Sequence, residues 1–235
     1  MEKIDELRSG VKSALPIILG YLPIGITYGI LASNSGLNSL ETLSMSIFVF
    51  AGSAQLIAVE MLTASAGPLA IVIMTFLVNL RHLLMSASLS LHFKKSNKKL
   101  LPLLGLIITD ESFAVGIASI SDHRYKEYFY LGLGFAAYSG WVVSSWIGVA
   151  LGGILPVAGL AFLDFVLPAM FIVLLVMQIN IGLDLVVALL AALFSLIFMQ
   201  ILPDNWNIIL ATISAATCGV FFEKIIKTEG KVDHG

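Results

Sequence analysis

The sequence predicts an all-α polytopic membrane protein: a bundle of about seven or eight hydrophobic segments, at least one of them broken or re-entrant. Three observations predict it. Of 235 residues, 58% are hydrophobic and only 12% charged, against about 25% charged in a soluble domain, and the mean hydropathy is +0.98. Apolar runs of roughly twenty residues, the length of a membrane helix, follow one another along the chain. The positions of the basic loops conflict with a simple count of those runs, so some runs must enter and turn back. The expected organisation is a single integral membrane domain over residues 1–235. Its polar motifs lie in 11–150, and only hydrophobic segments follow over 151–223. A net charge of -2 gives no reason to expect nucleic acid. The lone Cys218 excludes an intrachain disulfide and a cysteine-built metal site.

The opening MEKIDELRSGVKSALP mixes acids and bases and lacks a small-residue cleavage pattern after a short apolar core. It reads as a cytoplasmic amphipathic lead-in rather than a removed signal peptide. The first span is roughly Val11–Ser33, with Gly20-Tyr21-Leu22-Pro23-Ile24-Gly25 and Gly29 inside it. Pro23 removes a backbone donor and clashes with the preceding turn, so a kink or local unwinding is expected there. Freed backbone near Pro23 and Gly25 would line a cavity, as in transporters with broken helices; the plainer reading is a packing kink. The second segment, Leu40–Ala64, carries Phe50-Ala51-Gly52-Ser53-Ala54-Gln55 and then Glu60. Gly52 and Ser53 suit close helix approach, and Gly52 is also a candidate backbone break. Gln55 needs partners for a buried amide.

The third segment opens at Gly67-Pro68 and holds Asn79-Leu80-Arg81-His82. Arg81 is the only lysine or arginine between Lys12 and Lys94. A charge at the centre of a membrane helix costs about 2.5–3.5 kcal/mol on insertion scales, so Arg81 requires a partner or a water-filled cavity. On a continuous helix Asn79, His82 and Ser86 share one face while Arg81 points nearly opposite Asn79. Either Arg81 serves a different partner or the helix is broken. Thr109-Asp110-Glu111-Ser112, inside the fourth segment Leu100–Ile120, supplies two carboxylates; Glu60 is a further candidate.

Lys94-Lys95-Ser96-Asn97-Lys98-Lys99 has four bases and no acid, which places it in the cytoplasm with the N-terminus. An even number of crossings must separate the two, yet three hydrophobic segments lie before the loop. Leu40–Ala64 or Gly67–Leu91 is therefore expected to turn back. Arg124 and Lys126 pose the same problem for Leu100–Ile120, which is expected to be re-entrant as well. Tyr125, Tyr128 and Tyr130 read as an interfacial belt before a fifth segment, Phe129–Leu151. Asp164, Asp184 and Asp204 read as span ends around Phe165–Ile179 and Leu185–Leu202, and a last segment runs from Trp206 to Phe222.

Four motifs in order resemble the AzlC family, the large subunit of branched-chain amino-acid exporters. They are the first-span pattern around Gly20–Gly25 and Gly29, Phe50–Gln55, Asn79–His82, and Thr109–Phe113. The resemblance covers roughly residues 11–150. It implies export of branched-chain amino acids and analogues such as azaleucine across the cytoplasmic membrane, together with a small AzlD-type membrane subunit and no cofactor.

The residues themselves suggest how such a site would work. A zwitterion with an apolar side chain needs donors for its carboxylate, an acceptor or anion for its ammonium, and an apolar pocket. Gln55, Asn79, Arg81 and His82 are the candidate substrate ligands, Arg81 as a fork-shaped donor. Asp110 and Glu111 are candidates for the ammonium or for a coupling proton, and Pro23, Gly25 and Gly52 for backbone breaks lining the site. The plainer reading of Arg81 is an ion pair holding the bundle together. No H-E-x-x-H pattern and no phosphate-binding loop is present, so neither an intramembrane enzyme nor ATP-driven transport is expected. A non-transporting scaffold subunit is the rival class.

Overall fold

A computed structural model describes residues 2–94, 96–152, 172, 175–176, 179, 182–201 and 206–232. All regular structure among them is helical. The chain forms two compact units, Met1–Pro168 and Ala169–Gly235. Four described helices are long and apolar enough to cross a membrane: Leu15–Asn34, Pro68–Phe93, Lys126–Gly152 and Gly182–Met199.

The first unit is built on two parallel helices. Helix α1 (Glu2–Ser13) leads into α2 (Leu15–Asn34), and both pack along the last helix of the unit, Lys126–Gly152. The contacts keep register along the chain. Gly10 lies on the backbone of Phe129, Gly29 on that of Ser145–Val149, and Gly152 on Ser33. A Cβ on Gly29 would sit 2.4 Å from the Ser145 carbonyl oxygen, and one on Gly148 would sit 2.2 Å from that of Ile26. Only glycine allows backbones this close. The α helix is continuous through Pro23, so the unwinding expected there is absent. Thr27 Oγ1 donates to the Pro23 carbonyl at 2.9 Å, in keeping with the way hydroxyls support proline-containing membrane helices.

The breaks lie elsewhere. The second hydrophobic segment divides into α3 (Ser39–Phe48) and α4 (Gly52–Thr63), with non-helical backbone at Val49–Ala51. At 1.5 Å per residue each arm is about 15–18 Å long, half the hydrocarbon core of a bilayer. The partners show a hairpin. Tyr28 donates to the Thr42 carbonyl at 3.0 Å, the Phe50 ring meets Tyr21, and Thr63 Oγ1 lies 2.8 Å from Ser35 Oγ. The chain thus runs back along α2 from Tyr28 to Tyr21, turns, and returns to the end of α2 from which it left. The first turn of α3 is held by a reciprocal cap between Asn38 and Glu41, a motif that satisfies two otherwise unpaired amides.

Helix α5 (Pro68–Ser90) is unbroken and carries the chain to the other end, where Phe93 packs on Tyr130. A second hairpin follows: α6 (Leu101–Leu106), a break at Ile107–Thr109, and α7 (Asp110–Ser119). Its two feet lie together. Ser96 Oγ donates to Glu127 at 2.9 Å before it, and His123 Nδ1 lies 2.5 Å from Glu6 Oε2 after it. Between them Ile107 reaches Gly134 of the next helix, α8 (Lys126–Gly152). The basic loop at Lys94–Lys99 and helix α1 therefore share one end of the bundle, separated by α2, one hairpin and α5. The even parity demanded by the charges is met by a turn-back in Leu40–Ala64, with Gly67–Leu91 crossing intact.

Glu6 anchors that end. Its carboxylate accepts from the Arg124 amide at 3.0 Å and from that of Tyr125 at 3.4 Å as well as from His123. Burial pushes the Glu6 carboxyl up, but the His123 hydrogen bond and the two amides outweigh it and hold it below its ordinary value. Tyr125 and Tyr128 lie under the Lys3 ammonium, whereas Tyr130 is fully buried with its hydroxyl 3.2 Å from Ser112 Oγ. Tyr130 is thus a core residue and not part of an interfacial belt.

The second unit contains α9 (Gly182–Met199) and α10 (Trp206–Val232), packed on each other with Gly219 against Val187. Asp184 stands in the first turn of α9, at the span end expected for it. The expected segment Phe165–Ile179, together with Asp164 and Asp204, lies largely outside the described residues.

Candidate functional site

The hairpins come from opposite ends of the α2–α8 pair, and their tips meet around Tyr21 and Arg81. Tyr21 is 5% exposed. Its ring packs edge-on against Phe50 of the first tip and Trp141 of α8. Its hydroxyl lies 2.8 Å from both Thr109 Oγ1 and Glu111 Oε2 of the second. Tyr21 is the donor in both contacts, so its one proton is shared between the Thr109 hydroxyl oxygen and the Glu111 carboxylate.

Arg81 projects from the unbroken α5 between the same tips. Its Nη1 lies 2.8 Å from Asp110 Oδ2, with the two side chains 23% and 18% exposed. Its Nη2 donates to Ser53 Oγ in the first turn of α4. Arg81 therefore bridges the two hairpins, and Asp110 rather than Glu60 or Glu111 is its carboxylate. Asp110 stands in the first turn of α7, where the helix dipole also favours a negative charge. The turn is capped reciprocally: the Ser112 amide donates to Thr109 Oγ1 at 3.1 Å and the Thr109 amide to Ser112 Oγ at 2.8 Å. Arg81 Nε and Asn79 Oδ1 are buried without a hydrogen-bond partner among the described residues.

Gln55 sits apart from the ion pair. It is 1% exposed, and its oxygen accepts from Trp141 Nε1 at 2.9 Å while its nitrogen donates to Ser46 Oγ at 3.1 Å. Ser46 continues to Ser145 Oγ, which donates to the Trp141 carbonyl, each at 2.9 Å. This chain of bonds ties both arms of the first hairpin to α8. Gly52 lies against the Trp141 ring, which a Cβ there would meet at 2.6 Å. Gly25 lies against Ser144 of α8.

Asn79 and His82 do share one face, as an unbroken helix requires. Both line a cavity of about 520 Å³ together with Ile47–Ala51, Leu106–Ile108 and Tyr138. His82 Nδ1 is 3.2 Å from the Asn79 carbonyl oxygen. The site thus divides: Arg81, Asp110 and Glu111 lie at the tip junction, Asn79 and His82 on the cavity wall beside it, and Gln55 in the packing of the first hairpin. Tyr21, Ser53, Thr109 and Trp141 join them without having been singled out from the sequence. Three of the four lie inside the quoted motifs, and Trp141 is in the glycine- and aromatic-rich fifth segment. Among the described residues no group of three or more His, Cys, Asp or Glu is placed to hold a metal ion.

Residues 16–155 match the family described as AzlC protein. The chain is 32% identical over 168 residues to the inner membrane protein YgaZ of Escherichia coli (strain K12), covering 69% of each chain. It is 31% identical over 172 residues to the branched-chain amino acid transport protein AzlC of Bacillus subtilis (strain 168), covering 73% of this chain and 67% of that one. A membrane protein of Archaeoglobus fulgidus is 30% identical over 177 residues, covering 74% of this chain and 77% of the other. No solved structure matches. These relatives and the four apolar helices make this a membrane protein, helical throughout the regular structure of its described residues.

Proposed function

The chain belongs to the AzlC family, and from that premise we propose that it is a secondary transporter. It exports branched-chain amino acids, and analogues such as azaleucine, across the cytoplasmic membrane, coupled to protons and in company with a small AzlD-type subunit. The observation that carries the reading is the position of Arg81, one guanidinium fastened to the tips of two hairpins that enter from opposite ends. Non-helical backbone at membrane depth is tolerated where it is enclosed by protein or lines a water-filled space, and substrate sites of transporters are built from such breaks.

In this reading the substrate carboxylate competes for Arg81, whose planar fork suits it and whose Nε has no partner inside the described protein. Asp110, released from Arg81, takes the coupling proton, with Glu111 beside it as a second carboxylate that can carry it instead. Asn79 and His82 offer polar groups on the cavity wall, and Gln55 acts by holding the first tip on α8. The loss of the bridge lets one tip move from the other, and the site then faces one side at a time. Export against a gradient needs a driving force, and without a phosphate-binding loop that force is an ion gradient or the membrane potential, the latter about 2.3 kcal/mol per charge per 100 mV.

The test is amino-acid efflux from proteoliposomes, with and without the small subunit, under an imposed pH gradient at clamped potential. Wild type is expected to follow the gradient, and Asp110→Asn and Glu111→Gln to lose that response. Flux indifferent to the gradient rejects proton coupling. Gradient-driven flux intact in both variants rejects the residue assignment. An Asp110→Asn protein that keeps its partner and its full flux would make the Arg81 pair purely structural. Sidedness is checked in a Cys218→Ser background: Ser96→Cys should react with an impermeant thiol reagent only from the cytoplasm.

A further inference from the structure

The cavity beside the ion pair is polar on one wall and hydrocarbon on the rest. Asn79 and His82 supply polar groups, the Tyr138 hydroxyl being engaged on the Ile47 carbonyl; Phe48, Leu106, Ile107 and Phe135 are among the apolar residues, with Phe48 and Leu106 at its open side. Its volume of about 520 Å³ falls within the range of about 300–1,000 Å³ typical of small-molecule sites. It reaches Ala51 and Ile108, two residues short of Ser53 and Asp110, which hold Arg81. A zwitterion with its carboxylate at Arg81 has this space beside it for its side chain.

Gly105 of α6 lines the same cavity, and a Cβ added to it would meet nothing within 4 Å. The contrast is with Gly134, where a Cβ would strike Ile107 at 2.5 Å. Gly134 is small because the protein packs against it. The exposed Gly20 of α2 is equally open, but at Gly105 the open space is part of the cavity wall, so a side chain added there would project into the cavity.

We propose that this cavity takes the hydrocarbon side chain of the transported amino acid and that Gly105 sets how large that side chain can be. The assignment rests on the transporter reading above and deepens it. One methylene in such a pocket discriminates about 10-fold or more, so modest changes in the wall are readable as changes in preference.

The experiment compares efflux of valine, leucine and phenylalanine from proteoliposomes holding the chain and its small subunit under one fixed gradient. Gly105→Leu is expected to lower the leucine-to-valine flux ratio about fivefold, and Gly105→Ala to lower it less. Phe135→Ala, which widens the cavity, is expected to raise phenylalanine relative to leucine about threefold. If Gly105→Leu does not fold, the other two variants carry the test. Flux ratios unchanged in all folded variants, or all substrates falling in parallel, overturn the assignment while leaving the transporter reading intact. Ratios that follow the acyl-chain length of the vesicle lipid instead of amino-acid size give the cavity to lipid and also overturn it. Wild-type vesicles with no amino-acid efflux at all sink the transporter reading, and the assignment with it.

Discussion

The two hairpins share a plan, with half-length helical arms, a three-residue break and a tip near Tyr21, but they are fastened by different chemistry. Apart from Ser53 on Arg81, the first is held by neutral groups: Gln55 on Trp141 and Ser46, Ser46 on Ser145, Tyr28 on the Thr42 carbonyl, and Tyr138 on the Ile47 carbonyl. The second is held at its tip by carboxylates, Asp110 on Arg81 and Glu111 on Tyr21, and at its foot by Glu6 on His123. Neutral hydrogen bonds do not change with proton concentration near neutrality, whereas a carboxylate that gains a proton loses its charge-assisted partner. Under the proposed mechanism the difference separates their roles: the first hairpin stays on α8, and the second is the one that a proton releases.

The largest effect is expected where the two meet. Arg81→Ala leaves Asp110 without its partner and unties Ser53, and should destabilise the protein by about 3 kcal/mol, read as a fall in thermal unfolding temperature in detergent. Arg81→Lys keeps the charge but loses the fork, and should recover less than half of the loss. An Arg81→Ala protein as stable as wild type would show that the tips do not depend on their bridge.

Next comes the neutral side of the comparison. Gln55→Leu strands Trp141 Nε1 in the core and should cost about 2 kcal/mol, with the pH dependence of stability unaltered. A double-mutant cycle with Trp141→Phe should show coupling of about 0.5 kcal/mol or more; simple additivity would mean that the bond is not shared. Tyr21→Phe removes the hydroxyl that touches the second tip but keeps the ring against the first. A loss of about 1.5 kcal/mol is expected, and it should shrink when Glu111→Gln is already present.

The smallest effect is at the foot of the second hairpin. Because the Glu6 carboxyl is held low in the folded chain, the unfolded chain binds more protons between the folded and ordinary values. The stabilisation is complete above the ordinary carboxyl range and disappears as pH falls through the folded value. Glu6→Gln should cost about 1 kcal/mol at neutral pH and nothing in acid, measured by unfolding across pH. Equal losses at both ends of the range would remove Glu6 from the acid response.

The amino-acid sequence by itself determined the membrane class, the order of the helices and the need for turned-back segments. These follow from hydropathy and from where lysine and arginine can stand, and both are local properties of the chain. It also determined that Arg81 must find a carboxylate, because a lone buried charge is too costly. Which carboxylate was left to the tertiary structure. Asp110, Glu111 and Glu60 are equal in composition, and the choice depends on which side of a hairpin tip faces α5. The break expected at Pro23 was decided the same way. Proline weakens one helical bond, but α2 packs along α8 and stays helical, while the breaks fall at Val49–Ala51 and Ile107–Thr109, with no proline among them, where Tyr138 of α8 donates to the Ile47 carbonyl and Ser112 of the same hairpin to that of Ile107. Gln55 needed partners on the strength of its amide alone. That they are Trp141 and Ser46, 86 and 9 residues away in the chain, is a fact of packing, since no periodicity links positions on different helices.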